Sequence, residues 1–217
     1  MIFSSVIFDF NGTLYWDTHL HNAAWDTFLA NHEISLTDQE KGRIIHGRNN
    51  QDIFRSILGD QLTMSEIERN IDEKEAIYRS LCISENLRMA PGAESLLEFL
   101  AEKGIKFTIA TASGKENIDF YFEYLDLGKW FDYSCVVFND GSVRSKPHPE
   151  IFLRAMENLN AIPLETLIFE DTFNGVYAAL AAGPGKVILV NSDPANFFDS
   201  GLEVIRSFDE VDRRLFI

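Results

Sequence analysis

Five short apolar segments, separated by stretches with helical periodicity, constrain the fold of this chain more than any other feature. They occupy residues 6–10, 107–110, 135–138, 167–170 and 187–190. Short runs of this kind are typical of strands that are covered on both faces. Alternation of such strands with helices predicts a Rossmann-like α/β core with a doubly wound parallel sheet.

The segment between the first and second strands has a different character. Apolar residues at helical spacing fill residues 19–31, 38–46, 51–58 and 65–81, with little strand character. The Pro91-Gly92 turn and an amphipathic helix at 93–103 then restore the α/β pattern. We therefore expect a discontinuous core domain (1–16 and 85–217) interrupted by an all-helical cap domain (17–84).

Composition narrows the classes of partner. The formal net charge is −15 over 217 residues, which argues against nucleic acid and anionic membranes, although a small phosphorylated metabolite needs only local cations. No apolar run approaches the roughly 20 residues that span a bilayer. Two cysteines, Cys82 and Cys135, suit a reducing compartment. We expect a cytoplasmic protein. The sequence does not determine its oligomeric state, and a monomer is our expectation.

Polar side chains follow four of the predicted strands, where the carboxyl ends of parallel strands meet at one edge. Carboxylate oxygens grouped there suit Mg²⁺, and a carboxylate beside Mg²⁺ and a lysine is a candidate nucleophile toward phosphorus. In chain order these side chains are Asp9, Asn11, Thr111, Ser113, Lys146, Glu170 and Asp171.

Each of these residues also has a structural explanation. Asp9 could cap a turn, Thr111 could cap the helix at 115–125, and Lys146 could be a solvated loop charge. The acidic pair at 170–171 could sit at a helix N-terminus, where the macrodipole favours negative charge. Their joint occurrence at the ends of successive strands favours the functional interpretation.

The motifs DFNGT (9–13), a strand-end Thr111, Lys146 in SKPHPE and FEDTFNG (169–175) occur in this order. On these motifs the chain is identified as a member of the haloacid dehalogenase (HAD) superfamily. It resembles the branch of β-phosphoglucomutase and small sugar-phosphate phosphatases, and the resemblance covers nearly the whole chain. The fold that it implies is a HAD-like core with an inserted helical cap.

This resemblance implies a chemistry. Asp9 is the nucleophile that forms an aspartyl-phosphate, while Thr111 and Lys146 hold the phosphoryl oxygens. Mg²⁺ is held by Asp9, the backbone carbonyl of Asn11 and Asp171, with Glu170 nearby. The implied activity is Mg²⁺-dependent hydrolysis of small phosphate monoesters, with sugar phosphates as the leading substrate class. The acidic pair and a first cap helix without lysine favour this chemistry over metal-free dehalogenation or Schiff-base phosphonate cleavage.

Asn11 departs from the family pattern, which has an aspartic acid there as general acid and base. An amide cannot transfer that proton, and losing a general acid-base costs about 10²–10⁴ in rate. The chain could be a slower phosphatase, with Asp17, His19 or His21 as substitute, or a phosphometabolite-binding protein with little catalysis. The residue could also be an engineered change, and phosphoglucomutase-like phosphoryl transfer is a further alternative.

The cap is expected to contact the substrate. By resemblance, His21 and Lys74 face the substrate, and Arg48 is the obvious anion-binding residue because guanidinium matches phosphate oxygens. Ser113 is assigned to the substrate as well. Asn50 stands where the mutase branch has arginine, which weakens the mutase interpretation. All three cap cations could equally be ordinary parts of a helical surface.

Overall fold

The computed structural model describes residues 2–45, 48–193 and 200–217, apart from the side chain at position 38. The chain divides into two compact units, a core unit (1–16 and 88–217) and a helical unit (17–87). The sequence-based boundary between residues 84 and 85 falls in the last turn of a helix that continues to Glu85.

The described residues form six strands and eight α-helices. In chain order they are β1 (Ser5–Phe8), α1 (Thr18–Asn31), α2 (Asp38–Ile44), α3 (Asn50–Leu58), α4 (Met64–Glu85), α5 (Ala93–Glu102), β2 (Lys106–Gly114), α6 (Lys115–Tyr124), β3 (Val137–Asn139), α7 (Glu150–Asn158), β4 (Thr166–Glu170), α8 (Phe173–Ala181), β5 (Lys186–Val190) and β6 (Glu203–Ile205).

The core unit is built on one parallel sheet with the strand order β3-β2-β1-β4-β5-β6. The predicted doubly wound α/β fold is thereby confirmed. On one face Ile7 pairs in register with Ile168 and packs against helices α7 and α8. On the other face the rings of Phe8 and Phe169 stack with centroids 5.2 Å apart. Covering both faces explains why β1 is an unbroken apolar run.

Three details of the sheet differ from the sequence-based expectation. Strand β2 continues to Gly114, so Thr111 lies inside the strand and does not follow it. Strand β3 begins at Val137, because Cys135 ends a 3₁₀ turn. The edge strand β6 was not predicted, since three residues that include an exposed glutamate carry no apolar run.

The helical unit packs four helices around its own aromatic core. Trp25, Phe28 and Phe54 contact one another, with centroids 5.1–6.0 Å apart, and aliphatic residues from α3 and α4 complete the cluster. Helices α2 and α4 begin with complete capping boxes at Thr37 and Thr63. Helix α2 ends at Ile44, and the predicted helical residue His46 lies outside the described residues.

Across the described ranges, no helix combines the length and apolar character needed to cross a bilayer.

Candidate active site

The turn after β1 places Asp9 at the edge of the sheet. The Asp9 amide donates to the carbonyl of Phe169 (2.9 Å), which extends the pairing with β4 by one residue. The chain then reverses, with the Gly12 amide donating to the Tyr15 carbonyl at 2.7 Å. Gly12 has φ of +77°, which a residue without Cβ adopts at little cost. The Gly-Thr turn seen in the sequence thus ends the strand directly after this carboxylate.

Lys146 joins two carboxylates from different strands. Its Nζ donates to Asp9 Oδ1 at 2.6 Å and also to Glu170 Oε1. All three residues are buried, and Glu170 has no exposed surface. The interpretation of Lys146 as a solvated loop charge is therefore wrong. A buried lysine with two carboxylates balances only part of their negative charge, so the group is suited to accept a further cation.

The pKa values follow from this crowding of charge. Burial raises the pKa of Asp9 from about 3.8 to about 7; Lys146 opposes the rise and Glu170 adds to it. Burial also raises the pKa of Asp171 well above its usual value, with further contributions from Glu170 and Asp9. Burial alone would lower the pKa of Lys146, but Asp9 and Glu170 raise it above its ordinary range. The lysine is thus held charged.

The start of α8 anchors Glu170. Its Oε2 accepts hydrogen bonds from the backbone N–H groups of Asp171 and Thr172, both at 2.8 Å. Thr172 also caps α8, its hydroxyl accepting from the Gly175 amide at 3.1 Å. The N-terminal end of a helix favours negative charge, so Glu170 is held rigidly by its surroundings. The sequence-based alternative of a charge favoured by the macrodipole is compatible with this position.

Gly175 leaves the space that this carboxylate occupies. A Cβ at this position would lie 1.8 Å from Glu170 Oε1. We expect Gly175→Ala to destabilise the fold by about 1–3 kcal/mol, because the fixed carboxylate cannot move away without losing its partners. Thermal unfolding measures the change. Gly42→Ala is the matched control, since Gly42 also lies in a helix and none of the described atoms comes within 4 Å of its Cβ position; there we expect stabilisation of about 1 kcal/mol or less. Equal melting temperatures for both variants would contradict the steric assignment.

Three carboxylates from two strand ends could hold one metal ion. Asp9, Glu170 and Asp171 each offer an oxygen, and these three atoms lie within 4.8 Å of one another. An all-oxygen donor set suits Mg²⁺, which keeps several waters when bound. Burial, together with the neighbouring carboxylates, raises the pKa values of Asp9 and Asp171, and a bound cation would offset both effects. The residues present therefore fit the ion that the sequence predicts.

Mg²⁺ binding should compete with protons at this cluster. When the pKa of a carboxyl is higher in the folded state than in the unfolded chain, its protonation stabilises the folded state. For Asp9 this contribution is complete below about pH 4 and is lost as the pH rises to about 7. Mg²⁺ restores stability where the carboxylates are ionised. We expect saturating Mg²⁺ to stabilise the fold by about 1–3 kcal/mol at pH 8 and much less at pH 5. Melting curves with Mg²⁺ or NaCl of equal ionic strength test this; equal shifts at both pH values would count against metal binding by these residues.

Asn11 is held by a second group of side chains. Its Oδ1 accepts from the hydroxyls of Ser113 (2.7 Å) and Thr111 (3.4 Å), while its Nδ2 donates to the Tyr121 hydroxyl at 2.8 Å. Thr111 does not cap helix α6, whose N-cap is Gly114 without a side-chain bond. The suggested capping role of Thr111 is therefore wrong, and its hydroxyl belongs to the environment of residue 11.

Two of the three candidate residues of the helical unit, His21 and Lys74, contact each other. Lys74 Nζ bonds to His21 Nδ1 (2.8 Å) and to Glu75 Oε1 (2.9 Å). Arg48 is not part of this group, because its guanidinium donates to the Ser56 hydroxyl (3.2 Å) and to the carbonyls of Ile44 and Asp52 (both 3.4 Å). Lys74 is almost fully buried, so describing it as an ordinary surface cation is wrong.

Sequence reasoning missed several partners. Thr13, whose hydroxyl donates to Asp171 Oδ1 at 3.2 Å, lies within the first motif and was identifiable there. Tyr121 carried no such signal, because a helical tyrosine between apolar neighbours is typical of a core position. Glu75 was equally hidden, since one glutamate among the charges of DEKE (72–75) does not stand out.

The fold and site together define a doubly wound α/β protein with a cluster of carboxylates and a buried lysine at the strand ends. The family model of haloacid dehalogenase-like hydrolases matches residues 3–183, and the chain belongs to this family. It is 31% identical over 183 residues to a phosphorylated carbohydrates phosphatase of Thermotoga maritima, covering 84% of this chain and 83% of that one.

Solved structures agree with this assignment. A family IA variant 3 HAD hydrolase from Entamoeba histolytica superimposes with a TM-score of 0.85 at 31% identity, over 98% of this chain and 96% of that one. A β-phosphoglucomutase from Clostridium difficile gives 0.80 at 26% identity, over 99% and 95%. The resemblance is thereby confirmed, and the phosphatases among the relatives support a hydrolase of phosphate monoesters.

Proposed function

We propose that this protein is a Mg²⁺-dependent phosphatase of small phosphate monoesters, with sugar phosphates as the leading substrate class, that acts through an aspartyl-phosphate on Asp9. The observation that carries the proposal is the buried Asp9–Lys146 pair beside the carboxylates of Glu170 and Asp171. The similarity to a phosphatase of phosphorylated carbohydrates supports the choice of substrate class.

In the first step a carboxylate oxygen of Asp9 attacks phosphorus. A bond forms between that oxygen and phosphorus, the bond from phosphorus to the alcohol oxygen breaks, and the leaving alkoxide takes a proton from water. Lys146 holds Asp9 in place by its hydrogen bond of 2.6 Å and offsets charge on the transferred group. Thr111 and Ser113 are the proposed hydroxyl donors to the phosphoryl oxygens, and each would turn toward them from Asn11 Oδ1, to which it donates in this structure.

Asp9, Asp171 and the backbone carbonyl of Asn11 would hold Mg²⁺, with Glu170 close by. When bound, the ion supplies positive charge to the phosphoryl oxygens and offsets the negative charge of the carboxylates. Lys146 and the N-terminus of α8 keep Glu170 in place.

In the second step water attacks the phosphorus of the aspartyl-phosphate. The bond between phosphorus and Asp9 breaks, which releases inorganic phosphate and restores the carboxylate, and the proton of the attacking water passes to solvent. The Asn11 amide neither gives nor takes a proton at neutral pH. We therefore expect slow turnover, as for an enzyme without its general acid-base.

The helical unit is proposed to act as the cap domain that determines specificity. His21, Lys74 and Arg48 are the proposed substrate-binding residues, and His21 is also a candidate source of acid-base help. His21 stacks on Tyr78 at 3.8 Å and lies 3.4 Å from the carboxylate of Asp17. His19 instead pairs with exposed Glu85 at 3.1 Å, which makes it the weaker candidate. The cytoplasmic location and the monomeric state stay predictions.

Asn11 supports a second candidate of another class, a Mg²⁺-dependent phosphometabolite-binding protein. Such a protein would use the same carboxylates and lysine for affinity without completing turnover. Its amide at residue 11 keeps the hydrogen bonds to Ser113 and Tyr121, so the site is well ordered without an acid.

Phosphate release from a panel of phosphate esters separates these two functions. We expect release from one or more sugar monophosphates with Mg²⁺ and none with EDTA. The panel should include a phosphonate and a haloacid as non-ester controls. If a sugar phosphate binds in the presence of Mg²⁺ but no phosphate is released, the binding protein replaces the phosphatase as the proposed function. If the protein shows no binding and no release, both proposals are overturned.

A further inference from the structure

A buried polar cluster in the helical unit pairs a lysine with a glutamate that is adjacent in sequence. Lys74 and Glu75 have exposed side-chain fractions of 1% and 8%, and their Nζ and Oε1 atoms are 2.9 Å apart. The same Oε1 accepts a hydrogen bond from Asn50 Nδ2 at 2.7 Å. Glu75 therefore links the start of α3 to the middle of α4, next to a lysine proposed to bind substrate.

The charges of this cluster do not favour an anion. Besides Lys74 and Glu75, the cluster contains His21 and the carboxylate of Asp17, which accepts from the Tyr78 hydroxyl. Among the described residues of the cluster, the carboxylates of Glu75 and Asp17 outnumber the single ammonium group of Lys74. The Lys74 ammonium also lies 5.2 Å from the ring centroid of Trp25, so its surroundings are partly apolar. A phosphate here would meet a cation whose charge is already offset.

We propose that Glu75 is a specificity-determining residue, which cancels the charge of Lys74 so that this cluster accepts uncharged hydroxyl groups and rejects a second phosphate. This inference rests on the proposed function, because it concerns the end of a phosphate ester away from the transferred group. The protein would then select sugar monophosphates over bisphosphates.

The hydrogen-bonding groups match such a ligand. Lys74 donates, Glu75 accepts and Asn50 can do both, which is the mixture that the hydroxyl groups of a sugar require. A second phosphate would instead lie near the buried carboxylate of Glu75. Because like charges repel strongly where the dielectric constant is low, binding of such a ligand would be disfavoured.

Paired ligands test this proposal directly. Dissociation constants for fructose 6-phosphate and fructose 1,6-bisphosphate are measured by calorimetry with Mg²⁺, in an Asp9→Asn background that cannot form the phosphoenzyme. We expect Glu75→Gln to tighten bisphosphate binding about tenfold relative to monophosphate binding, since it removes one buried negative charge and keeps the shape. Glu73→Gln is the matched control, because Glu73 lies on the same helix and pairs with His32 at the surface.

A second variant does not depend on replacing a buried group. Asn50→Lys adds a cation next to Glu75 at a half-buried position, and we expect the same direction of change. An unchanged ratio in both variants, an equal change in Glu73→Gln, or no binding of either sugar would overturn the assignment of Glu75. The ratio of the two dissociation constants could shift in Glu75→Gln although the parent protein releases no phosphate from any ester. That result would support the role of Glu75 in specificity and would contradict the proposed phosphatase activity.

Discussion

Asp9→Asn is expected to lower the rate of phosphate release by at least about 10⁴-fold, because removal of a catalytic nucleophile leaves only binding and electrostatic contributions. The variant keeps the shape of the side chain and its contact with Lys146. Steady-state phosphate release with Mg²⁺ measures the loss. Rapid quenching of the parent protein with a ³²P-labelled substrate should also show label on the peptide that contains residue 9.

The matched control is Asp126→Asn, which removes the same charge from a side chain that is 78% exposed in the core unit. That variant should retain the parent rate. If Asp9→Asn stays within tenfold of the parent, the aspartyl-phosphate route is wrong. Stability provides an independent check, because an amide at position 9 avoids the cost of burying a negative charge, the same cost that raises the pKa of the Asp9 carboxyl to about 7. The variant should therefore melt no lower than the parent at pH 8 without Mg²⁺.

Asn11→Asp is expected to raise turnover by about 10²–10⁴-fold, which is the usual contribution of a positioned general acid-base. A carboxyl at this position can protonate the leaving oxygen and then take a proton from the attacking water. The site already suits it, because the hydroxyls of Ser113, Thr111 and Tyr121 can all donate to a carboxylate. Such hydrogen bonds lower the pKa of the introduced carboxyl. Its ionised form, which takes the proton from the attacking water, therefore dominates at neutral pH, and the gain in this second step should fade in acid.

The control variant Asn158→Asp makes the same chemical change at an exposed position of α7. Peptide mass spectrometry of the parent protein is also needed, since Asn11 precedes Gly12 and deamidation would create the variant in part. Activity that appears only in Asn11→Asp would favour the binding protein. A gain below threefold would show that residue 11 does not limit turnover and that another group supplies the proton.

The sequence by itself predicted the parallel sheet and the residues at its strand ends, because these depend on local patterns. An apolar run such as that of β1 can be buried only between two layers of helices. Asp9 follows this run, Glu170 ends the run of β4, and Lys146 lies in the loop after β3, so each was identified from its place in the sequence. The family motifs also identified the three carboxylates that could hold Mg²⁺. These assignments needed no knowledge of which residues meet across the fold.

The tertiary structure alone decided the partners of these residues. Tyr121 contacts Asn11 from 110 positions away in the chain, and only the packing of α6 against the sheet brings them together. The burial of Glu75 likewise arises from the contact between α3 and α4, whereas the sequence shows four consecutive charged residues (72–75), three of them acidic. Charge, burial and hydrogen bonding at a site depend on contacts between distant segments, and hydrophobic periodicity carries no information about those contacts.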